Sequence, residues 1–146
     1  MSGIIGSAGS KSGVIGKIAQ RNAAKIVMAS HSNISSGYVN FNSWQNKGDN
    51  VTVSGGELSG FDNGFYLFHC TLGAHPSAVT CSFYFRVDGV SVGTNLYIHP
   101  DMGPKYGNAV DWLPLQITSK TTEIGVYGTG YLHASHASMT VIRVGD

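Results

Sequence analysis

From residue 38 onward the sequence alternates short apolar runs with turn-forming residues. About eight such runs follow one another at a spacing of roughly 8–12 residues. Turn signals such as Gly55-Gly56 and Asp88-Gly89 separate them, and these residue types favour tight turns. The only plausible helix, over Lys17–Ile26, precedes them. Short strands at this spacing without crossover helices predict an all-β fold, an antiparallel β-sandwich or barrel.

The predicted strands differ in how many of their faces are apolar. Residues 79–87 alternate apolar and polar side chains, which predicts a strand with one buried and one wet face. Residues 64–72 and 138–144 instead carry apolar side chains on both faces. Phe65 and Leu67 lie on the face opposite that of the other apolar residues of their strand, and Ile142 and Val144 lie on the face opposite that of Met139 and Val141.

A strand that is apolar on both faces is covered on both faces. A two-layer sandwich supplies only one cover, so we expect a neighbouring subunit to supply the second. The alternative cover is the N-terminal arm of the same chain. The residues predicted to form the subunit contact are Phe65, Leu67, His69, Met139 and Val141.

Several short motifs occur in a characteristic order between residues 50 and 144. They are Gly56-Glu-Leu58, Gly64-Phe-Tyr66-Leu-Phe68, Asp88-Gly89, Leu113-x-Leu115 and Ser138–Val144. Together they resemble the family of complement globular heads and tumour necrosis factors. That resemblance implies a TNF-like jelly roll that forms compact trimers, with the strand around Tyr66 and the closing strand facing the three-fold axis. Two positions depart from the family pattern, because residues 119–122 replace its Gly-Asp turn and Asn63 replaces its proline.

The first 25 residues differ in composition from the rest of the chain. Residues 2–6 recur with one substitution at 12–16, and glycine at this density disfavours a helix. The segment contains four of the nine basic residues and none of the eight acidic ones. We therefore predict an extended Gly-rich arm over 1–25 and a jelly-roll domain over 26–146. The residues predicted to anchor the arm are Ile4, Ile5, Lys11, Val14, Ile15 and Lys17.

Motifs for catalysis are sparse in this sequence. It contains neither a phosphate-binding loop nor a nucleotide-binding fingerprint, so we predict neither an enzyme nor a cofactor. His133 and His136 have a spacing seen at zinc sites, but on a strand they face opposite sides and only a loop would let them converge. The other histidines, His31, His69, His75 and His99, are scattered, and no metal site is predicted. His69 is either a pH-sensitive subunit contact or a hydrogen-bonded interface residue.

Two further sets of side chains leave alternatives open. Cys70 and Cys81 fall on predicted core faces, where they either bridge the two sheets or remain free thiols, as is usual in a reducing cytosol. Aromatic residues in the second half of the chain either grip a sugar or protein partner or pack beneath a long loop. These residues are Tyr97, Tyr106, Trp112 and Tyr127.

The N-terminal arm also carries the functional prediction, because it resembles the start of small structural proteins of tailed bacteriophages, particularly marine ones. This resemblance implies a virion structural protein, a trimeric capsid decoration or cement protein whose partner is the major capsid protein. Its expected location is the capsid surface, after assembly in the host cytoplasm. The alternative is a trimeric tail fibre or receptor-binding tip that recognises a host ligand.

Charge and hydropathy argue against other classes of partner. The net charge of +1 at pH 7 is unlike that of a nucleic-acid-binding protein. No apolar run approaches the roughly 18 residues of a membrane span, so no membrane partner is expected. A secreted cytokine-like ligand is a third interpretation, and the sequence counts against it because it lacks the pattern of a signal peptide.

Overall fold

The computed structural model describes residues 23–48, 50–74, 81–98 and 108–145. Within these ranges the chain forms eleven β-strands and one short 3₁₀ turn, Ala134–His136, and it contains no α-helix. The strands are β1 (Ala24–Val27), β2 (Ser32–Tyr38), β3 (Ser43–Asn46), β4 (Thr52–Ser54), β5 (Glu57–Ser59), β6 (Gly64–Gly73), β7 (Cys81–Val87), β8 (Val90–Ile98), β9 (Asn108–Ile117), β10 (Ile124–Leu132) and β11 (Ser138–Gly145). The predicted all-β fold is confirmed.

The strands form two antiparallel sheets. The five-stranded sheet has the order β3-β1-β11-β6-β9, and the six-stranded sheet has the path β4-β5-β10-β7-β8 with β2 also paired to β10. One edge of β10 pairs along its length with β7, while β5 and β2 share the other edge. The two sheets pack face to face as the layers of a sandwich.

Aromatic side chains from both sheets fill the space between the layers. Tyr66 and Phe68 of β6 and Phe83 and Phe85 of β7 are fully buried. Phe61, just before β6, meets Phe68 edge to face at 5.4 Å between ring centroids. Burial of side chains of this size contributes roughly 1.5–3 kcal/mol each. The alternation of inner and outer residues predicted over 79–87 is confirmed for β7, residues 81–87, where Phe83 and Phe85 face the core.

The start of the domain differs from the prediction. Residues 24–27 form β1, which pairs with β11 on one side and β3 on the other, so the helix predicted over Lys17–Ile26 is wrong at this end. Ala24 and Ile26 are buried while Lys25 is exposed, which is the period of a strand. The predicted boundary between residues 25 and 26 therefore falls inside β1. Residues 1–22, with every predicted anchor residue of the arm, lie outside the described residues.

Both cysteines are buried, free thiols, as favoured from the sequence. Burial raises the pKa of Cys70, and the nearby negative charge of Asp111 raises it further. Burial also raises the pKa of Cys81. Neither side chain is therefore a reactive thiolate, since such cysteines need a lowered pKa and solvent access.

Candidate subunit-contact face

The outer side of the five-stranded sheet carries the residues that alternate with the core. At its centre, Leu67 of β6 lies in register between Ile142 of β11 and Pro114 of β9. Two residues further along β6, His69 lies in register between Thr140 of β11 and Trp112 of β9. We call this surface the contact face. It consists of Lys25, Val27, Phe65, Leu67, His69, Thr71, Val110, Trp112, Pro114, Gln116, Ser138, Thr140 and Ile142.

The contact face exposes large apolar side chains to solvent in the single chain. Phe65 is 36% exposed, Ile142 39% and Trp112 51%, whereas Phe68 on the inner side of β6 is fully buried. Among the described residues, the large exposed hydrophobic side chains lie in β6, β9 and β11, with the exception of Val90. Single exposed apolar residues are ordinary, but a contiguous group marks an interaction surface.

Charge is almost absent from the contact face. Lys25, near its β3 side, is the only charged member of the set defined above. Asp111 of β9 pairs with Cys70 and therefore belongs to the opposite side of the sheet. Depletion of charge at the centre is the compositional mark of the core of a protein interface.

A stacked ring pair occupies the β9 side of the face. The rings of His69 and Trp112 lie 4.2 Å apart between centroids at an interplanar angle of 38°. They belong to directly paired positions of β6 and β9, and the amide of Trp112 donates to Oδ1 of Asp111 at 2.8 Å. The pair presents a broad, rigid aromatic surface on which a partner can pack.

The predicted contact residues divide between the two sides of the sheet. Phe65, Leu67 and His69 lie together on the contact face. Met139 and Val141 are fully buried inside the single chain, so their placement at a subunit surface is wrong.

The reason is the register of β11 against β6. Met139 and Val141 pair with Cys70 and Phe68 and share their inward side. The apolar residues of β11 that face outward are instead Ile142, opposite Leu67, and Val144, which is 51% exposed in a bulge. Because β11 carries two apolar side chains on each of its faces, its own pattern cannot tell which side faces the core. Only pairing with β6 decides it.

The prediction that the other four histidines are scattered is wrong for His31, which lies beside His133 and His136. In the turn after β10 the ring centroids of His133 and His136 lie 5.2 Å apart, and those of His31 and His133 lie 4.0 Å apart. Nδ1 of His31 accepts a hydrogen bond from the amide of Ala134 at 3.0 Å. Across the described ranges, no group of three or more His, Cys, Asp or Glu side chains is placed to hold a metal ion.

Comparison with known proteins identifies the fold. Neither a protein-family model nor a curated protein matches this sequence. Among solved structures, it is similar to murine APRIL at pH 8.0, with a TM-score of 0.64 and 12% identity over 84% of this chain and 98% of that one. The globular domain of zebrafish complement 1qA gives a TM-score of 0.64 and 11% identity over 84% and 97% of the two chains. Eiger TNF from S. frugiperda gives 0.56 and 10% identity over 85% and 92%.

These similarities show that the domain is a TNF-like jelly roll. The likeness covers the whole sandwich of the neighbours, and at such low identity it concerns the backbone rather than any ligand or partner. Among the residues that the structure describes, none belongs to a helix with the length and hydrophobicity needed to cross a membrane.

Proposed function

We propose that this protein is a trimeric structural protein of a bacteriophage virion, which decorates or cements the capsid through its N-terminal arm. The observation that carries the proposal is the contact face. A domain of this size needs no exposed apolar sheet to fold, so the exposure of Phe65, Trp112 and Ile142 has its simplest explanation in assembly.

The fold supports a closed trimer as the form of that assembly. Its TNF-like architecture places β6 and β11 in the sheet that carries the contact face. The family that the sequence resembles turns this sheet toward a three-fold axis. Three copies related by rotation bury all three contact faces, so that none of these faces is left free for further growth.

The arm supports attachment to a larger particle. Its glycine-rich, basic sequence resembles the N-terminus of phage structural proteins, and the described residues that follow it include a hydrophobic core that spans both sheets. Three weakly binding arms held on one rigid trimer bind a shell with a much higher avidity than one arm alone. The major capsid protein is the proposed partner, and the capsid surface is the proposed location.

The test is deletion of residues 2–16 in the full-length protein. The truncated protein is expected to remain a trimer in sedimentation and to lose its binding to capsids that lack the native protein. A matched control replaces Gln45, an exposed polar residue of β3, by alanine and retains both properties. Normal shell binding by the truncated protein contradicts the anchoring role without affecting the trimer.

A second candidate function is a tail fibre or receptor-binding tip. It is favoured by the aromatic and polar surface around Tyr127 on the six-stranded sheet, which lies on the layer away from the contact face. Copy number per virion separates the two candidates. Hundreds of copies indicate the capsid, and a few dozen or fewer indicate the tail.

A further inference from the structure

Three tyrosines form one row across the solvent-facing side of the six-stranded sheet. Tyr127 of β10 pairs with Tyr38 of β2 on one side and with Tyr84 of β7 on the other. The rings of Tyr38 and Tyr127 meet edge to face at 5.2 Å, and those of Tyr84 and Tyr127 lie 5.8 Å apart at an angle of 36°. We call these three residues the tyrosine row. All three side chains are half-buried, so each ring keeps a solvent-facing part.

Arg86 fixes the geometry of the tyrosine row. Its guanidinium carbon lies 3.6 Å from the ring centroid of Tyr127, 5.5 Å from that of Tyr84 and 5.9 Å from that of Tyr38. Its Nη2 donates to the hydroxyl of Tyr84 at 3.3 Å. A cation held over one ring and beside two others restricts all three, so the surface is ordered before any ligand arrives.

A glycine makes room for this arrangement. Gly125 of β10 lies in register between Glu57 of β5 and Arg86 of β7. A Cβ at that position would lie 2.7 Å from the Cδ1 atom of Tyr38. The missing side chain therefore lets the ring of Tyr38 lie over the β10 backbone, close to Glu57 and Arg86.

The polar groups around the row include both donors and acceptors. The hydroxyls of Tyr127 and Ser36 hydrogen-bond each other at 2.8 Å. Arg86 adds donors and Glu57 adds acceptors, and their opposite charges leave the surface close to neutral. An anionic ligand would meet the carboxylate of Glu57, and a purely apolar partner would leave these polar groups without solvent or partners.

We propose that the tyrosine row is a binding site for a neutral saccharide. The C–H faces of a sugar ring pack on tyrosine rings, while its hydroxyls both donate and accept, which matches the mixed polar groups here. Nothing in the argument depends on the capsid role, because the row lies on the opposite sheet from the contact face. It gives the second candidate function, recognition of a host ligand, a specific location and ligand class.

The experiment is a titration of the ¹⁵N-labelled full-length protein with maltotriose, lactose and chitotriose, followed by amide chemical shifts. At least one sugar is expected to shift amides of residues 82–86 and 125–129 with a dissociation constant of about 1 mM. Tyr84→Ala and Arg86→Ala are each expected to weaken this binding by about tenfold or more. Gln45→Ala, on the other sheet, leaves it unchanged.

Two results overturn the inference. One is the absence of shifts in these amides with all three sugars at about 10 mM, well above the expected dissociation constant. The other is wild-type sugar binding by Tyr84→Ala and Arg86→Ala in variants whose amide spectra show an intact fold. If the two substitutions lower thermal stability and the wild-type protein binds no sugar, the tyrosine row serves only to attach β2 to the sheet.

Discussion

Replacement of Trp112 by serine is the most direct test of the contact face. This side chain is 51% exposed in the single chain, so it contributes little to the core of the domain. An aromatic residue of this size has roughly 250 Å² of surface, of which about half, near 125 Å², is left for a partner to cover. At about 25 cal/mol per Å², its loss costs roughly 3 kcal/mol per protomer and about 9 kcal/mol per trimer.

The dissociation constant of a trimer into three protomers is proportional to the square of the concentration at which half of the protein is trimeric. Each tenfold change in that constant corresponds to about 1.4 kcal/mol. The loss therefore raises the concentration at which half of the protein is trimeric by about a thousandfold. Sedimentation equilibrium over a range of protein concentrations measures this shift. Val90→Ser is the matched control, because Val90 is 65% exposed but belongs to the six-stranded sheet.

A wild-type protein that sediments as a monomer at all concentrations refutes the reasoning. So does a Trp112→Ser variant that assembles at the same concentration as the wild type. Equal effects from Val90→Ser would show that the loss comes from general surface hydrophobicity, rather than from the contact face.

Three further predictions concern the single domain. Gly125→Ala is expected to displace the Tyr38 ring, because the new Cβ would lie 2.7 Å from a ring carbon. The unfolding free energy measured in urea is expected to fall by about 1–3 kcal/mol. An unchanged urea midpoint would argue against close packing of Tyr38 on Gly125. Phe68→Ala leaves a cavity among fully buried rings and is expected to lower the same quantity by about 3–5 kcal/mol, with Gln45→Ala as a neutral control. Burial raises the pKa of Cys70 above its ordinary value of 9.0, so the unfolded chain binds fewer protons than the folded one at higher pH. The unfolding free energy is therefore expected to fall as pH rises above about 9. Cys70→Ala, with unfolding compared at pH 8 and 10, is expected to remove part of that loss.

The sequence predicted the sandwich where its strands are strongly patterned. Residues 81–87 alternate strictly, and the structure places Phe83 and Phe85 inside as expected. The strand β2 was not predicted, because residues 32–38 contain one aliphatic side chain, Ile34, among polar residues and glycine. Its place in the sheet comes from pairing with β10, which is a long-range property.

The candidate sites were predictable only in part, for a similar reason. Apolar residues on both faces of β6 and β11 indicate that a second cover is needed, but the register that pairs Val141 with Phe68 is what decides which face points inward. The tyrosine row combines Tyr38, Tyr84 and Tyr127, which are far apart in the chain and adjacent only after three strands have paired. Of these, only Tyr127 stood out from the sequence as a candidate ligand residue.

The position of β1 inside its sheet has a mechanical consequence. The strand is flanked by β3 on one side and β11 on the other, and the carbonyl of Ala23 accepts a hydrogen bond from Asn46. A pull on the chain before Ala23 along the axis of β1 loads the hydrogen bonds to both neighbours in shear, so that they resist together instead of unzipping one at a time. A tether attached there can transmit force to the domain without peeling away its first strand.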